Sequence, residues 1–158
     1  MQRFLIIAIL AAFPLAHAWA ADLPAACGPA DVRFEVNKDK TKHELAQPQA
    51  GKALVYFFQD TGLTRIGIDG AWAGANVSHS YFSVAVEPGE HHLCAWLKQV
   101  DNPMELVHFT AEPGGVYFFR GRLVVSGVGS YLFLGPVDGD EAQYLLHHYS
   151  LSLFKAGK

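Results

Sequence analysis

Tight-turn residues recur at short intervals along most of this chain, and they leave room only for short strands. Asp69-Gly70, Glu87-Pro88-Gly89-Glu90 and Pro113-Gly114-Gly115 all favour sharp reversals, since proline fixes φ and glycine accepts a positive φ. The segments between these turns are apolar or alternate between apolar and polar side chains, as β-strands do. The pattern indicates a sandwich or a barrel, and we predict an all-β fold, mainly an antiparallel β-sandwich.

Three segments show the strand pattern most clearly. Residues 53–58 form a continuous apolar run, which is typical of a strand covered on both faces. Residues 81–86 and 91–97 instead alternate, so that each strand has two faces of different composition. We therefore predict that each of these segments is a strand of the sandwich.

The end of the chain carries a helical pattern. Asp138 and Glu141 have the spacing of a capping box, with Asp138 as the cap. The apolar residues that follow fall on one face of a helix: Ala142, Leu145, Leu146 and Tyr149. We therefore predict one short C-terminal α-helix near residues 139–150.

The first twenty residues resemble an export signal. Arg3 provides a positive start, residues 4–16 are apolar, and Ala18-Trp19-Ala20 fits a cleavage site before Ala21. The apolar run is shorter than the ~20 residues that a spanning helix needs, so we expect no transmembrane segment. The predicted location is periplasmic or secreted, with residues 1–20 as the signal peptide.

The remainder divides by composition into two parts. Residues 21–50 are polar and rich in proline, and we expect an irregular N-terminal arm with one short strand near residues 32–36. Residues 51–158 hold the strand and helix patterns described above and form the predicted sandwich domain.

Cys27 and Cys94 are the two cysteines of the chain. In an exported protein two cysteines most often pair, so we predict a disulfide between them. A lipid on Cys27 is the alternative. The preceding Pro24-Ala25-Ala26 has small residues but lacks the leucine expected three places upstream.

The charge balance argues against a nucleic acid as partner. The chain has 12 Lys and Arg residues against 15 Asp and Glu residues, and its net charge is −3. Phosphate binding needs a cationic face, which this composition does not favour.

Histidine is the residue type most suggestive of chemistry, with 8 in the chain. His43-Glu44-Leu45-Ala46-Gln47 is close to the zinc motif HExxH, but Gln47 stands where the second imidazole belongs. His91 and His92 are neighbours in a strand and point to opposite faces, so they cannot chelate one ion together. We expect no catalytic residue, no metal site and no cofactor.

An aromatic group is the remaining candidate for binding. Trp72, His79 and Tyr81 flank a loop between two predicted strands, where they could stack on a sugar ring or grip a partner. Burial of Trp72 and Tyr81 as ordinary core residues is the alternative, because most rings of such a chain must lie inside.

Several motifs resemble a known family. These are GKALVYF over residues 51–57, IGIDGAWAG over 66–74, VEPGEH over 86–91 and AEPGGVYF over 111–118. The chain resembles small exported bacterial β-sandwich domains catalogued as a domain of unknown function. Its turn motifs resemble those of the PEGA class of envelope modules. The resemblance implies a fold and a bacterial envelope location, and it carries no established activity.

These observations favour a non-catalytic exported envelope protein that binds or scaffolds a protein or glycan partner. The alternative is a metal-dependent or hydrolytic enzyme that uses the histidines.

Overall fold

The computed structural model describes residues 23–41 and 44–157. The predicted signal peptide over residues 1–20 lies outside this part of the chain, and so does His43. The described elements, in chain order, are β1 (Arg33–Asp39), β2 (Ala53–Gln59), β3 (Thr64–Ile68), β4 (Ala71–Asn76), β5 (Ser80–Val86), β6 (Gly89–Leu97), β7 (Met104–Ala111), β8 (Val116–Ser126), β9 (Gly129–Pro136), α1 (Gly139–His148) and β10 (Ser150–Gly157).

The strands form two sheets. The larger sheet has the order β1-β10-β5-β2-β8-β9, and the smaller sheet has the order β4-β3-β6-β7. Neighbouring strands are antiparallel except for β2 beside β8 and β10 beside β5, which run parallel. The predicted all-β fold with a single C-terminal helix is confirmed.

Strand β2 explains how the layers are held together. All of its side chains are buried, as the continuous apolar run predicts. Ala53, Val55 and Phe57 pack into the core between the two sheets. The alternate residues Leu54, Tyr56 and Phe58 pack into a second core beneath the helix. One strand therefore supplies two apolar layers because successive side chains point to opposite faces.

Helix α1 covers the outer face of the larger sheet. Asp138 caps it by accepting a hydrogen bond of 2.8 Å from the Glu141 backbone N–H, which confirms the predicted cap. Ala142, Leu145 and Leu146 are buried against the sheet. Among the described residues, no helix is long and apolar enough to cross a membrane.

Two elements differ from the sequence prediction. The helix ends at His148 instead of near residue 150, and the chain then forms β10, which was not predicted. Strand β1, expected as a short piece of an irregular arm, pairs along its whole length with β10 and forms one edge of the larger sheet.

The predicted Asp69-Gly70 reversal joins β3 to β4. Asp69 has φ +50° and Gly70 has φ +91°, the positive values that a tight hairpin turn requires at both central residues. The turn over residues 87–90 does not form a hairpin within one sheet. It connects β5 of the larger sheet to β6 of the smaller sheet.

Candidate binding site

Residues 23–32, here called the N-terminal arm, lie across the outer face of the smaller sheet. A disulfide joins Cys27 of the arm to Cys94 of β6, with a Cα–Cα distance of 5.1 Å. The predicted disulfide is confirmed, and it leaves no thiol on Cys27 for a lipid. The arm is thus covalently attached to the middle of the sheet.

Two glycines allow the arm to approach so closely. A Cβ on Gly67 of β3 would lie 2.9 Å from the Ala26 carbonyl oxygen, and a Cβ on Gly28 would collide with the ring of Trp72. Larger residues at either position would push the arm away from the sheet. The close fit is supported by a hydrogen bond of 3.2 Å from the Gly70 N–H to the Ala26 carbonyl.

A buried arginine stands at the centre of this face. The guanidinium carbon of Arg65, on β3, lies 4.4 Å from the ring centroid of Trp72 and 4.0 Å from that of Trp96. Both distances fit cation–π contacts. Arg65 Nη1 donates a hydrogen bond of 2.7 Å to the Val32 carbonyl, and Trp72 Nε1 donates one of 2.7 Å to the Pro29 carbonyl. The arginine and the tryptophan thereby hold the arm.

Neither the charge nor the hydrogen-bond donors of Arg65 are fully matched by its neighbours. Its side chain is only 6% exposed, yet in the described part of the chain it has no carboxylate partner. Its Nε is buried without a hydrogen-bond partner, and its hydrogen bonds leave from Nη1 alone. Burial lowers the pKa of the guanidinium because the charged form loses hydration. A guanidinium stays charged even so, and a buried charge without a counter-ion is uncommon.

An open cleft of about 980 Å³ lies beside Arg65. The arm and the start of β1, including Phe34, form one wall. Residues of β3 and the end of β6, including Trp96, form the other. Arg33 and Lys98 also line the cleft, and Asp31 is the acidic residue that faces them. The cleft thus combines aromatic surface with an excess of positive charge.

The three aromatic candidates from the sequence do not form one site. Trp72 is half-buried against Arg65 and the arm. His79 is exposed in the turn between β4 and β5, with φ +54°. Tyr81 is buried in the core beneath α1, where burial and then the nearby Tyr56 and Asp39 raise its pKa to about 12. Trp72 contacts Arg65, which lines the cleft, but is not itself part of the cleft lining. Ligand binding by any of the three stays a prediction.

A second polar cluster lies beneath the helix. Arg120 donates to both carboxylate oxygens of Asp60 at 2.8 and 2.9 Å, and to Glu141 at 2.6 Å. Tyr149 donates a hydrogen bond of 2.8 Å to Asp60. The hydrogen bonds to Asp60 raise the pKa of Arg120, against the effect of burial. Every member has a partner, so the cluster acts as an anchor for α1.

The histidines are dispersed. His91 Nδ1 lies 2.6 Å from Asp69 Oδ2, and Nε2 lies 2.7 Å from the Glu87 carbonyl oxygen. Burial lowers the pKa of His91, but the hydrogen bonds to Glu87 and Asp69 outweigh it and the net direction is upward. His92 lies on the opposite face, with its ring 6.5 Å from that of His108. Across the described ranges, no group of three or more His, Cys, Asp or Glu residues could hold a metal ion.

Sequence reasoning missed the cleft and its central arginine. The signal that could have revealed Arg65 is a charged residue within the short strand segment TRIGI, which is otherwise suited to burial. A charge at such a position requires a specific environment. Trp96 forms part of that environment but lies on another strand, so the environment becomes visible only once the fold is known.

Comparisons of this chain with protein-family models, with curated proteins and with solved structures found no match. The resemblance to exported β-sandwich domains and to the PEGA class therefore stays a prediction. Function has to be inferred from the geometry of the molecule itself.

Proposed function

We propose that this protein is an exported bacterial envelope module that acts by binding a glycan or protein partner, without catalysis. The observation that carries the proposal is the cleft between the N-terminal arm and the smaller sheet. Its volume of about 980 Å³ lies at the upper end of the range typical of ligand sites. The leader-like residues 1–20 support the assignment to the envelope.

The construction of the cleft also supports a binding role. Its arm wall is attached by the Cys27–Cys94 disulfide, and its other wall belongs to a paired sheet. Walls held in this way lose little conformational freedom when a ligand binds, which favours affinity. Trp96 and Phe34 supply aromatic surface, the kind of side chain that dominates binding energy in many interfaces.

The test is a binding survey with oxidised protein comprising residues 21–158. A glycan array and solubilised peptidoglycan fragments are the first probes, followed by purified envelope proteins. We expect Trp96→Ala to weaken the binding of any ligand found by about 30-fold, as for a central aromatic contact. Tyr144→Ala is the matched control, since Tyr144 is 61% exposed on the helix, outside the cleft.

Circular dichroism melting of both variants checks that each is folded before binding is compared. Equal affinity of the two variants for the same ligand would place its site elsewhere and refute the role of the cleft. Failure of every probe class would refute the binding proposal itself.

A further inference from the structure

Arg65 is a buried cation that the described residues leave without a counter-ion. Two tryptophan rings and the Val32 carbonyl surround it, and these partners carry no formal negative charge. Such a guanidinium attracts an anion from the adjoining cleft, because the Coulomb interaction is strong where water is partly excluded. The neighbouring Arg33 and Lys98 extend this positive field to the solvent-exposed part of the cleft.

We propose that the cleft binds an anionic saccharide, with a carboxylate or phosphate group directed toward Arg65, Arg33 and Lys98. The proposal rests on the binding function proposed above and specifies its ligand. Arginine is suited to this task because a guanidinium donates charged hydrogen bonds to oxyanions, and the fork of the exposed Arg33 can donate two of them in parallel. Asp31 also lines the cleft and can accept hydrogen bonds from sugar hydroxyls.

A saccharide fits the cleft wall formed by β3 and β6 better than an extended peptide does, whereas β1 on the other wall is an edge strand of the larger sheet. Peptides that bind β proteins commonly add a strand to an open sheet edge. The cleft wall formed by β3 and β6 has no such edge, since β3 lies between β4 and β6, and β6 lies between β3 and β7. Recognition on this wall must use side chains. The half-buried Trp96 and the exposed Lys98 on this wall are suited to a ring that carries hydroxyls and a charge.

The test uses three monosaccharides that differ at one position: glucose, glucuronate and glucose 6-phosphate. Each is titrated into ¹⁵N-labelled oxidised protein, and the indole N–H of Trp96 and the Nε–H of Arg65 are followed by NMR. We expect at least one of the two anions to bind about tenfold more tightly than glucose, as for a charged hydrogen bond. Comparison of the two anions distinguishes a carboxylate ligand from a phosphate ligand.

Charge variants on the exposed part of the cleft test the contribution of each of its cations without replacing the buried Arg65. Lys98→Gln and Arg33→Gln should each weaken binding of the preferred anion several-fold, and added salt should weaken it further. Lys52→Gln is the matched control, since Lys52 pairs with Glu87 at 2.8 Å and does not line the cleft. Its affinity should equal that of the unchanged protein.

Several results would overturn the inference. Glucose binding as tightly as both anions, or anion binding unaffected by Lys98→Gln and Arg33→Gln, would remove the anionic specificity and leave the binding function standing. Inorganic phosphate binding as tightly as glucose 6-phosphate would reduce the site to one for a bare anion. Absence of binding by all sugars, with no glycan or protein found in the survey, would refute both proposals.

Discussion

Loss of the Cys27–Cys94 disulfide should destabilise the protein by an amount that its position allows us to calculate. The bond closes a loop with a sequence separation of 67. The entropy that such a loop removes from the unfolded chain corresponds to about 4 kcal/mol at 25 °C. For a domain of about 140 residues, with an unfolding entropy of about 2.1 cal/mol/K per residue, this equals a fall in Tm of about 14 °C.

The arm retains other attachments when the disulfide is absent. Trp72 still donates to the Pro29 carbonyl and Arg65 to the Val32 carbonyl, so we expect the variant to fold. The appropriate variant carries Cys27→Ala and Cys94→Ala together, and thermal denaturation is followed by circular dichroism. Chemically reduced wild-type protein is the control, and it should melt at the same temperature as the double variant.

The size of the effect decides whether the reasoning is sound. A decrease in Tm of less than about 4 °C would correspond to a destabilisation of about 1 kcal/mol or less. That is too small for the entropy that a loop of this length removes from the unfolded chain. The loop-entropy argument would then be refuted, and the disulfide would serve only to keep the arm in place. Hydrogen exchange of residues 23–32 separates these outcomes, because detachment of the arm accelerates exchange there without unfolding the sandwich.

Two further predictions concern the helix and a buried histidine. Leu145→Ala should lower the free energy of unfolding by about 2–5 kcal/mol, because Leu145 is 1% exposed on the buried face of α1. Tyr144→Ala, at an exposed site of the same helix, should change it by less than ~0.5 kcal/mol in the same urea titration. Burial lowers the pKa of His91, but the hydrogen bonds to a carbonyl and to Asp69 raise it by more, so the folded-state pKa is above the ordinary value. The protonated ring therefore stabilises the fold fully below about pH 6.5. This stabilisation is lost as pH rises through the raised pKa. Unfolding free energies measured from pH 5 to 9 should therefore decline less steeply in His91→Gln than in wild type, while the exposed His108→Gln variant keeps the wild-type slope; identical slopes in all three proteins would contradict this assignment.

Local patterning predicts much of the fold. The Asp69-Gly70 turn, the doubly buried strand over residues 53–58 and the Asp138 cap all follow from neighbouring residues in the sequence, and all are present. The disulfide follows from cysteine count and the expected compartment. Each of these features depends on a short stretch of chain or on a single pairing choice.

The remaining features depend on residues that are distant in sequence. Gly67 has no recognisable role until the arm lies across it, and Arg65 has none until Trp96 is placed beside it. Strand β10 begins directly after the helical segment and alternates between polar and apolar residues only over its first half, so its position between β1 and β5 establishes it as a strand. Non-local packing of this kind cannot be inferred from periodicity, which describes one segment at a time.

The place of β10 determines when the larger sheet can form. A ribosome synthesises the chain from its N-terminus, so β1 is made before β10. Among the described strands, β10 is the sole partner of β1, with Arg33 opposite Gly157. Pairings across such a separation in sequence are slow to form because a long loop must close first. The larger sheet is consequently completed only after β10 has been synthesised. A truncation of the final residues would remove an inner strand of this sheet, and β1 would lose its partner with it.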